Sequence, residues 1–206
     1  MSVQANAPDR VPPVDIVIED ERWIDAGLED LSSRAVEATA QYLGLGPVEV
    51  VVLGCNDERI AGLNDHFRGK SRPTNVLSWP VNDPEPRDPG ARPALPSSHG
   101  RRGGDMIELG DIAISYDTCL READEQGKPL ADHVVHLVVH ATLHLIGYDH
   151  EIDADAETME GCERSVLGLL GIPDPYADSL AASAGGSTDR HPATHEASHK
   201  DTQQGA

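Results

Sequence analysis

Three histidines in the second half of the chain have the spacing of metal ligands. The stretch HATLHLIGYDH contains His140, His144 and His150. Side chains four residues apart lie on one face of a helix, so His140 and His144 can offer two ring nitrogens to one ion. Gly147 is a natural helix end, because glycine adopts the left-handed conformation at little cost, and the chain can then turn back to deliver His150. Three protein ligands with one open position are typical of a catalytic zinc site.

An all-histidine ligand set suits Zn²⁺ and also other divalent transition metals such as Ni, Cu or Co. We therefore predict one Zn²⁺ per chain, with another divalent transition metal as the alternative. Ordinary core histidines explain one such residue but not three in this arrangement. His133 and His136 lie two and one turns before the first ligand and can hydrogen-bond it, although ordinary half-buried histidines are the simpler interpretation. Asp149 and Asp153 are candidates for orienting a ligand or water, with solvated surface carboxylates as the equal alternative.

The C-terminal region repeats the histidine spacing without a scaffold. His191, His195 and His199 are also four residues apart, but no apolar residues flank them and Pro192 interrupts the pattern. We expect at most adventitious metal binding there.

The spacing from residue 140 to 150 also matches the metzincin peptidases, whose pattern is H-E-x-x-H-x-x-G-x-x-H. In that chemistry the glutamate after the first histidine takes a proton from the attacking water. Ala141 stands at that position, so a metallopeptidase is the weaker alternative.

The charge distribution favours a phosphate substrate bound in one place. With 36 acidic and 16 basic residues the formal charge is −20, which argues against a generic polyanion binder. The basic residues concentrate in one segment, however: Arg59, Arg68, Lys70, Arg72, Arg87, Arg92, Arg101 and Arg102. Such asymmetry can focus a polyanion into one cleft. For Arg68, beside a strand and a Gly-Lys pair, we favour a functional role, whereas a solvated basic loop explains residues 87–102 equally well.

Periodicity predicts the elements that position these residues. Alternating or β-branched runs predict strands at 14–20, 47–54, 74–80 and 110–115. Helical patterns lie at 28–45, after Asn56, and at about 116–126, 131–146 and 154–170. Asn56 is predicted to cap a helix that carries Ile60, Leu63 and Phe67 inward. This order predicts a single α/β (α+β) domain with about five helices.

Composition also predicts the boundaries of that domain. We expect a flexible N-terminus at 1–13, a globular domain at 14–176 with a long loop at 82–104, and a disordered tail at 177–206. Three widely spaced cysteines, Cys55, Cys119 and Cys162, suit reduced thiols. The N-terminus has no apolar leader and no apolar run is long enough to cross a bilayer, so we expect a soluble, cytoplasmic protein.

Three motifs together resemble those of a known family. HATLHLIGYDH, FRGKSRPTNVLSWP (67–80) and LGDIAIS (109–115) closely resemble the YbeY family of metal-dependent endoribonucleases. The resemblance runs from about Val14 to Tyr176 in the same motif order, and GKPLADHVVHLVVH and DPY match as well.

The resemblance implies a mixed four-stranded sheet, zinc bound by His140, His144 and His150, and a functional arginine at Arg68. It also implies a single-strand-directed endoribonuclease that matures the 3′ end of 16S rRNA and takes part in ribosome quality control. The implied partners are single-stranded RNA and small-subunit ribosome components, with no membrane or DNA partner. We predict that Arg68 binds the scissile phosphate beside the metal.

Three features depart from the family pattern. Ala141 replaces the usual glycine, Trp79 replaces the usual phenylalanine before Pro80, and the loop at 82–104 and the tail are extra. Thr74 and Asn75 are candidates to line the groove, with capping or turn roles as the equal alternative. A non-catalytic ribosome-assembly factor is the remaining alternative function.

Overall fold

The computed structural model describes residues 14–96 and 106–177. The predicted flexible N-terminus, the three tail histidines and nearly all of the predicted tail lie outside these residues, as do residues 97–105 of the long loop. The chain divides into two units, Met1–Asp174 and Pro175–Ala206. All helices and strands described below belong to the first unit.

Four strands form one mixed sheet, as predicted. They are β1 (Val14–Ile18), β2 (Val48–Cys55), β3 (Val76–Pro80) and β4 (Ile107–Ser115). Their order is β1-β2-β4-β3; β1, β2 and β4 are parallel, and β3 pairs antiparallel to β4 at the edge. Strand β4 begins earlier than predicted, because Ile107 and Glu108 already pair with β2 before a register shift at Glu49.

Within the described ranges, six helices pack around this sheet. They are α1 (Arg22–Asp25), α2 (Leu28–Leu43), α3 (Asp57–Arg68), α4 (Tyr116–Glu125), α5 (Leu130–Ile146) and α6 (Asp153–Leu169). The five longer helices are those predicted. The four-residue α1 was not predicted, since a single turn leaves no periodicity in the sequence; it buries Trp23, whose indole N–H donates to the Cys55 carbonyl oxygen at 3.1 Å.

One face of the sheet carries a large hydrophobic core. Alternate residues of β2, namely Val48, Val50 and Val52, join the buried side chains of α2, α5 and α6 in one cluster. Helix α5 is the most apolar of these, with eleven buried residues among its 17. Because burial of apolar surface is the main stabilising term in folding, this face holds α5 rigidly.

The other face has a much smaller core. Its buried members are Cys55, Ile60, Leu77 and Ala113, with Leu53, Leu63 and Trp79 half-buried around them. Helix α3 supplies Ile60 and Leu63, as predicted, but Phe67 is 56% exposed, so the prediction that it points inward is wrong. The reason is its position: Phe67 lies in the last turn of α3, beyond the small core, and its ring contacts the rings of His66 and Trp79.

The ends of α3 are well defined. Asn56 caps its N-terminus as predicted, since the side-chain oxygen accepts a hydrogen bond from the backbone N–H of Arg59 at 2.9 Å. At the C-terminal end, the Asn64 side chain of α3 donates a hydrogen bond to the Arg72 carbonyl oxygen at 2.9 Å. This bond ties the loop that follows α3 back to the helix. Arg68, the last residue of α3, therefore lies at a helix end whose following loop is held in place.

The three cysteines are buried and free of disulfides. Burial raises the pKa of the Cys55 thiol to about 12 and that of Cys119 further still, so both are unreactive at neutral pH. Among the residues that the structure describes, no helix is both long enough and apolar enough to cross a membrane.

Candidate metal centre

Helix α5 and the turn after it bring His140, His144 and His150 together. One ring nitrogen from each lies within 4.8 Å of the others. The Nε2 atoms of His140 and His144 are 3.1 Å apart, and the His150 ring lies 5.3 Å and 5.0 Å from these two rings, centroid to centroid. A tetrahedral ion with nitrogen ligands at about 2.0–2.1 Å holds its ligand atoms at separations slightly above 3 Å, so the spacing of the His140 and His144 nitrogens fits a zinc-sized ion.

The orientation of two of these rings is fixed by acceptors on their far sides. His140 Nδ1 lies 2.8 Å from Glu163 Oε1, and His144 Nδ1 lies 3.0 Å from the Tyr148 carbonyl oxygen. A carboxylate and a carbonyl can only accept, so each Nδ1 carries the proton and each Nε2 keeps its lone pair. Both lone pairs are thereby available on the side where the triad converges. This is the arrangement by which proteins prepare histidines to bind a metal.

Glu163 is the residue of this centre that sequence reasoning missed. It lies on α6, is 1% exposed, and also binds His136 Nε2 at 3.1 Å through its second oxygen. His136 is thus coupled to the first ligand through a shared carboxylate, one step further away than the direct hydrogen bond considered from the sequence. A signal existed: Glu163 lies among the buried positions Met159, Cys162 and Val166 of α6, and a buried acid needs a partner.

Gly147 allows the turn that delivers His150. Its φ of 103° lies in the region that favours glycine, and its N–H caps α5 by donating to the His144 carbonyl oxygen. A Cβ at this position would also lie 3.3 Å from the Cβ of Pro84. Asp149 then accepts a hydrogen bond from the backbone N–H of His150 at 2.8 Å, so it shapes the turn. Asp153, the other predicted carboxylate, is exposed as the first residue of α6.

Burial keeps His144 in its metal-binding protonation state. Burial lowers the pKa of His144 to about 4, and the neighbouring His140 and His150 contribute to that lowering. The ring is therefore neutral at physiological pH. Neutral imidazole is the form that binds a metal, because a protonated ring has no lone pair to give.

The loop after β3 is fastened over the end of α5. The Arg87 guanidinium donates to the Gly147 carbonyl oxygen at 2.8 Å and pairs with Asp155 at 3.2 Å, and the backbone N–H of Gly90 donates to the same carboxylate at 2.6 Å. The side chains of Arg87 and Asp155 are only 17% and 14% exposed. Arg87 therefore anchors the loop to the metal-binding turn; it is neither a solvated surface cation nor free to bind phosphate.

Some cations of the basic segment are thus paired with acidic residues, and others are not. Arg59 pairs with Glu19 at 2.8 Å, and Arg101 and Arg102 lie outside the described residues. In the part of the chain that the structure describes, Arg68, Lys70 and Arg72 are exposed and form no ion pair. Arg68, Lys70 and Arg72 are therefore described members of the basic segment whose charge is available to a polyanion, whereas Arg59 and Arg87 are already paired.

Arg68 is the last residue of α3, on the side of the sheet with the small core. Among the described residues its guanidinium has no hydrogen-bond or ion-pair partner, so no such bond joins it to the histidine triad. Its predicted role at the scissile phosphate remains a prediction.

Asn75 and His133 have structural roles around Glu122. Asn75 donates to Glu122 Oε2 at 3.0 Å, and His133 Nε2 lies 2.8 Å from the same oxygen. The Asn75 side chain also accepts from the backbone N–H of Val76 at 2.7 Å, which fixes the entry into β3. The turn interpretation of Asn75 therefore fits better than a groove-lining one, and Thr74 only reaches Asn75 at 3.4 Å.

Comparison with known proteins gives one consistent family. Residues 15–171 match the family described as Endoribonuclease YbeY. Curated proteins of that name include one from Paracoccus denitrificans, 60% identical over 86% of this chain and 98% of its own length. Others come from Dinoroseobacter shibae, at 54% identity over 79% of this chain and 90% of its own, and Ruegeria pomeroyi, at 52% over 79% and 97%.

Proposed function

Since the chain belongs to the YbeY family of endoribonucleases, we propose that it is a zinc-dependent enzyme that cleaves single-stranded RNA. The proposed role is maturation of the 3′ end of 16S rRNA, together with ribosome quality control. The observation that carries the proposal is the convergence of three ring nitrogens within 4.8 Å, two of them held in the metal-binding tautomer.

In this proposal the chain's own residues divide the work between binding and orientation. His140, His144 and His150 hold the ion, while Glu163 and the Tyr148 carbonyl fix the rings of the first two. When bound, zinc supplies Lewis acidity toward a phosphoryl oxygen or a water. Arg68 binds the scissile phosphate with a planar, permanently charged group and offsets the negative charge that grows as the bond breaks.

The peptidase alternative gains no support from the geometry. Ala141, at the position of the metzincin base, is 1% exposed and packs in the large core. A side chain there faces the core, so the site lacks that proton acceptor. Phosphodiester cleavage depends more on positioning and charge stabilisation, which the triad and Arg68 can provide.

The proposed partners are single-stranded RNA, ribosomal RNA in particular, and components of the small ribosomal subunit. No membrane or DNA partner is proposed. A cytoplasmic location is proposed as well, since unpaired buried cysteines suit a reducing compartment.

A cleavage assay with matched variants tests the proposal. End-labelled single-stranded RNA and its duplex are incubated with the zinc-loaded protein and with His144→Ala prepared identically. We expect the parent to cut the single strand and the variant, still folded by circular dichroism, to leave it intact. Equal cutting by both would show a contaminating nuclease, overturn the proposal and favour the assembly-factor alternative. The product ends identify the attacking group, because a 2′,3′-cyclic phosphate rules out direct attack by water.

A further inference from the structure

The exposed ring of Phe67 and the half-buried ring of Trp79 lie together at the edge of the sheet. The chain contains a single phenylalanine, and it is 56% exposed. Its ring lies 5.0 Å from that of Trp79 at an interplanar angle of 57°, and 4.7 Å from that of His66 at 89°. Neither neighbour stacks flat on Phe67. The exposed ring leaves apolar surface in water, and a flat group that stacked on it would remove that surface from water.

The position of this pair is fixed by the sheet and by the small core. Trp79 packs on the small core with one side, and its backbone is held in β3, which pairs with β4. Gly110 on β4 has a φ of 137°, and a Cβ there would overlap the Trp79 carbonyl oxygen. The close approach of β3 to β4 at this point therefore depends on glycine. The position of Phe67 is determined by α3, and the fully buried Ile60 anchors that helix on the sheet.

The charge around the pair matches a polyanion. From His66 to Asn82 the sequence contains Arg68, Lys70 and Arg72 and no acidic residue, within a chain of charge −20. The nearest acid before this stretch, Asp65, is hydrogen-bonded to Ser71 in the same loop. The loop is tied to α3, since the backbone N–H of Lys70 donates to the Asn64 carbonyl oxygen at 3.3 Å. The three cations are therefore carried by a loop that is held to α3, next to one exposed ring and one half-buried ring.

We propose that Phe67 and Trp79 form a stacking platform for a base of single-stranded RNA, whose phosphates are bound by the Arg68–Arg72 loop. Every base has a flat face, so aromatic stacking combined with backbone-tracking cations is the physical means of binding single strands without sequence preference. A duplex keeps its bases stacked on each other, so the platform discriminates against it. This inference rests on the proposed function for the identity of the substrate, and it adds how single strands are recognised.

Tryptophan fluorescence gives a direct readout of this contact. The chain has two tryptophans, of which Trp23 is fully buried, so a change on adding RNA reports Trp79. The titration uses the His144→Ala protein, which keeps the RNA intact, with a short single-stranded RNA and an abasic oligomer of equal length and charge. We expect RNA, and not the abasic oligomer, to quench Trp79.

Substitutions of the exposed ring separate stacking from charge. In the His144→Ala protein, Phe67→Leu keeps apolar bulk but lacks a π face, and we expect about tenfold weaker RNA binding, since stacking one base is typically worth about that factor. Abasic binding should not change. Phe67→Tyr is the matched control and should retain RNA binding. Arg68→Ala should weaken the binding of both the RNA and the abasic oligomer. Trp79→Phe should abolish the fluorescence change while labelled RNA, followed by polarisation, still binds.

Two results would overturn the platform: Phe67→Leu binding RNA as tightly as its parent, or RNA binding that leaves Trp79 fluorescence unchanged. Failure of the proposed function looks different, because the protein with an intact triad would then bind RNA through the platform yet leave it uncut. A platform failure leaves cleavage by that protein in place.

Discussion

The two faces of the sheet are covered very differently. On one face α2, α5 and α6 bury a large continuous core, and the histidine triad lies on α5, the most deeply packed helix of that face, and the turn after it. On the other face α3 covers a core of four fully buried residues, and its last turn carries exposed Phe67 and Arg68. Ligands of a metal need fixed positions, whereas groups that receive a long polymer need access. Under the proposed function, the large core holds the metal ligands in place, and the exposed last turn of α3 leaves room for the RNA.

This comparison predicts which variants change the affinity for the metal and which change the binding or cleavage of RNA. Changes around α5 should alter the binding of zinc, and changes at the end of α3 should alter the handling of RNA while zinc binding stays the same. The following variants test that division.

His144→Ala should have the largest effect. It removes one of three ligands, so we expect zinc affinity to fall by more than about 100-fold, beyond the roughly 10- to 100-fold cost of losing a group that merely orients a ligand. Competition with a chromogenic chelator measures this affinity. His195→Ala, in the tail, is the matched histidine control and should leave the high-affinity site unchanged. Equal loss in both variants would contradict the assignment of the triad.

Arg68→Ala should lower kcat for RNA cleavage by about 100-fold, as is typical when one preorganised group that stabilises transition-state charge is removed. Zinc affinity should remain that of the parent, since among the described residues no hydrogen bond or ion pair joins Arg68 to the triad. Arg68→Lys should recover part of the rate, because it keeps the charge but not the planar fork. Steady-state kinetics with zinc content measured in parallel checks this; a loss of zinc in Arg68→Ala would break the division between the faces.

Glu163→Ala should weaken zinc binding by about 10- to 100-fold, because the His140 ring loses the acceptor that fixes its tautomer. Glu163→Gln keeps an accepting oxygen and should lose less. The readout is zinc affinity at constant pH, with the free energy of unfolding of the zinc-free proteins measured alongside. Two variants equally destabilised but with unchanged zinc affinity would show a purely structural role for this carboxylate.

Gly62→Ala should have the smallest effect. Gly62 lies inside α3 and is exposed, and a methyl group added there would meet no heavy atom within 4 Å. Alanine should raise the free energy of unfolding by about 0.5–1 kcal/mol through helix propensity alone. Cleavage and zinc affinity should stay the same. Urea denaturation measures the gain, and a loss of stability would mean that α3 is packed more tightly than its small core indicates.

Much of this arrangement was predictable because it depends on local patterns. The period of α5, the helix-ending Gly147 and the spacing of three histidines lie within one short segment, and the Asn56 cap is equally local. Strands β1 to β4 were found through alternation and β-branched residues. The sequence also indicated the four-stranded sheet through the family resemblance.

What could not be predicted depends on contacts between distant segments. Glu163 reaches His140 from another helix, and Arg87 fastens its loop to Gly147, which lies far along the chain. Composition identified Arg87 only as a basic residue, because counting charges does not reveal which group each charge pairs with. Phe67 was predicted to lie inside because apolar spacing does not reveal where the core beneath a helix ends.

The most direct test of the central claim is the dependence of RNA cleavage on bound zinc. The protein is stripped of metal with a chelator, zinc is returned in increments, and the initial rate of single-stranded RNA cleavage is measured at each step. We predict a rate near zero in the stripped protein, a linear rise up to one zinc per chain, and no rise beyond that point. A rate that survives stripping, or that ignores added zinc, would contradict a catalytic metal held by His140, His144 and His150.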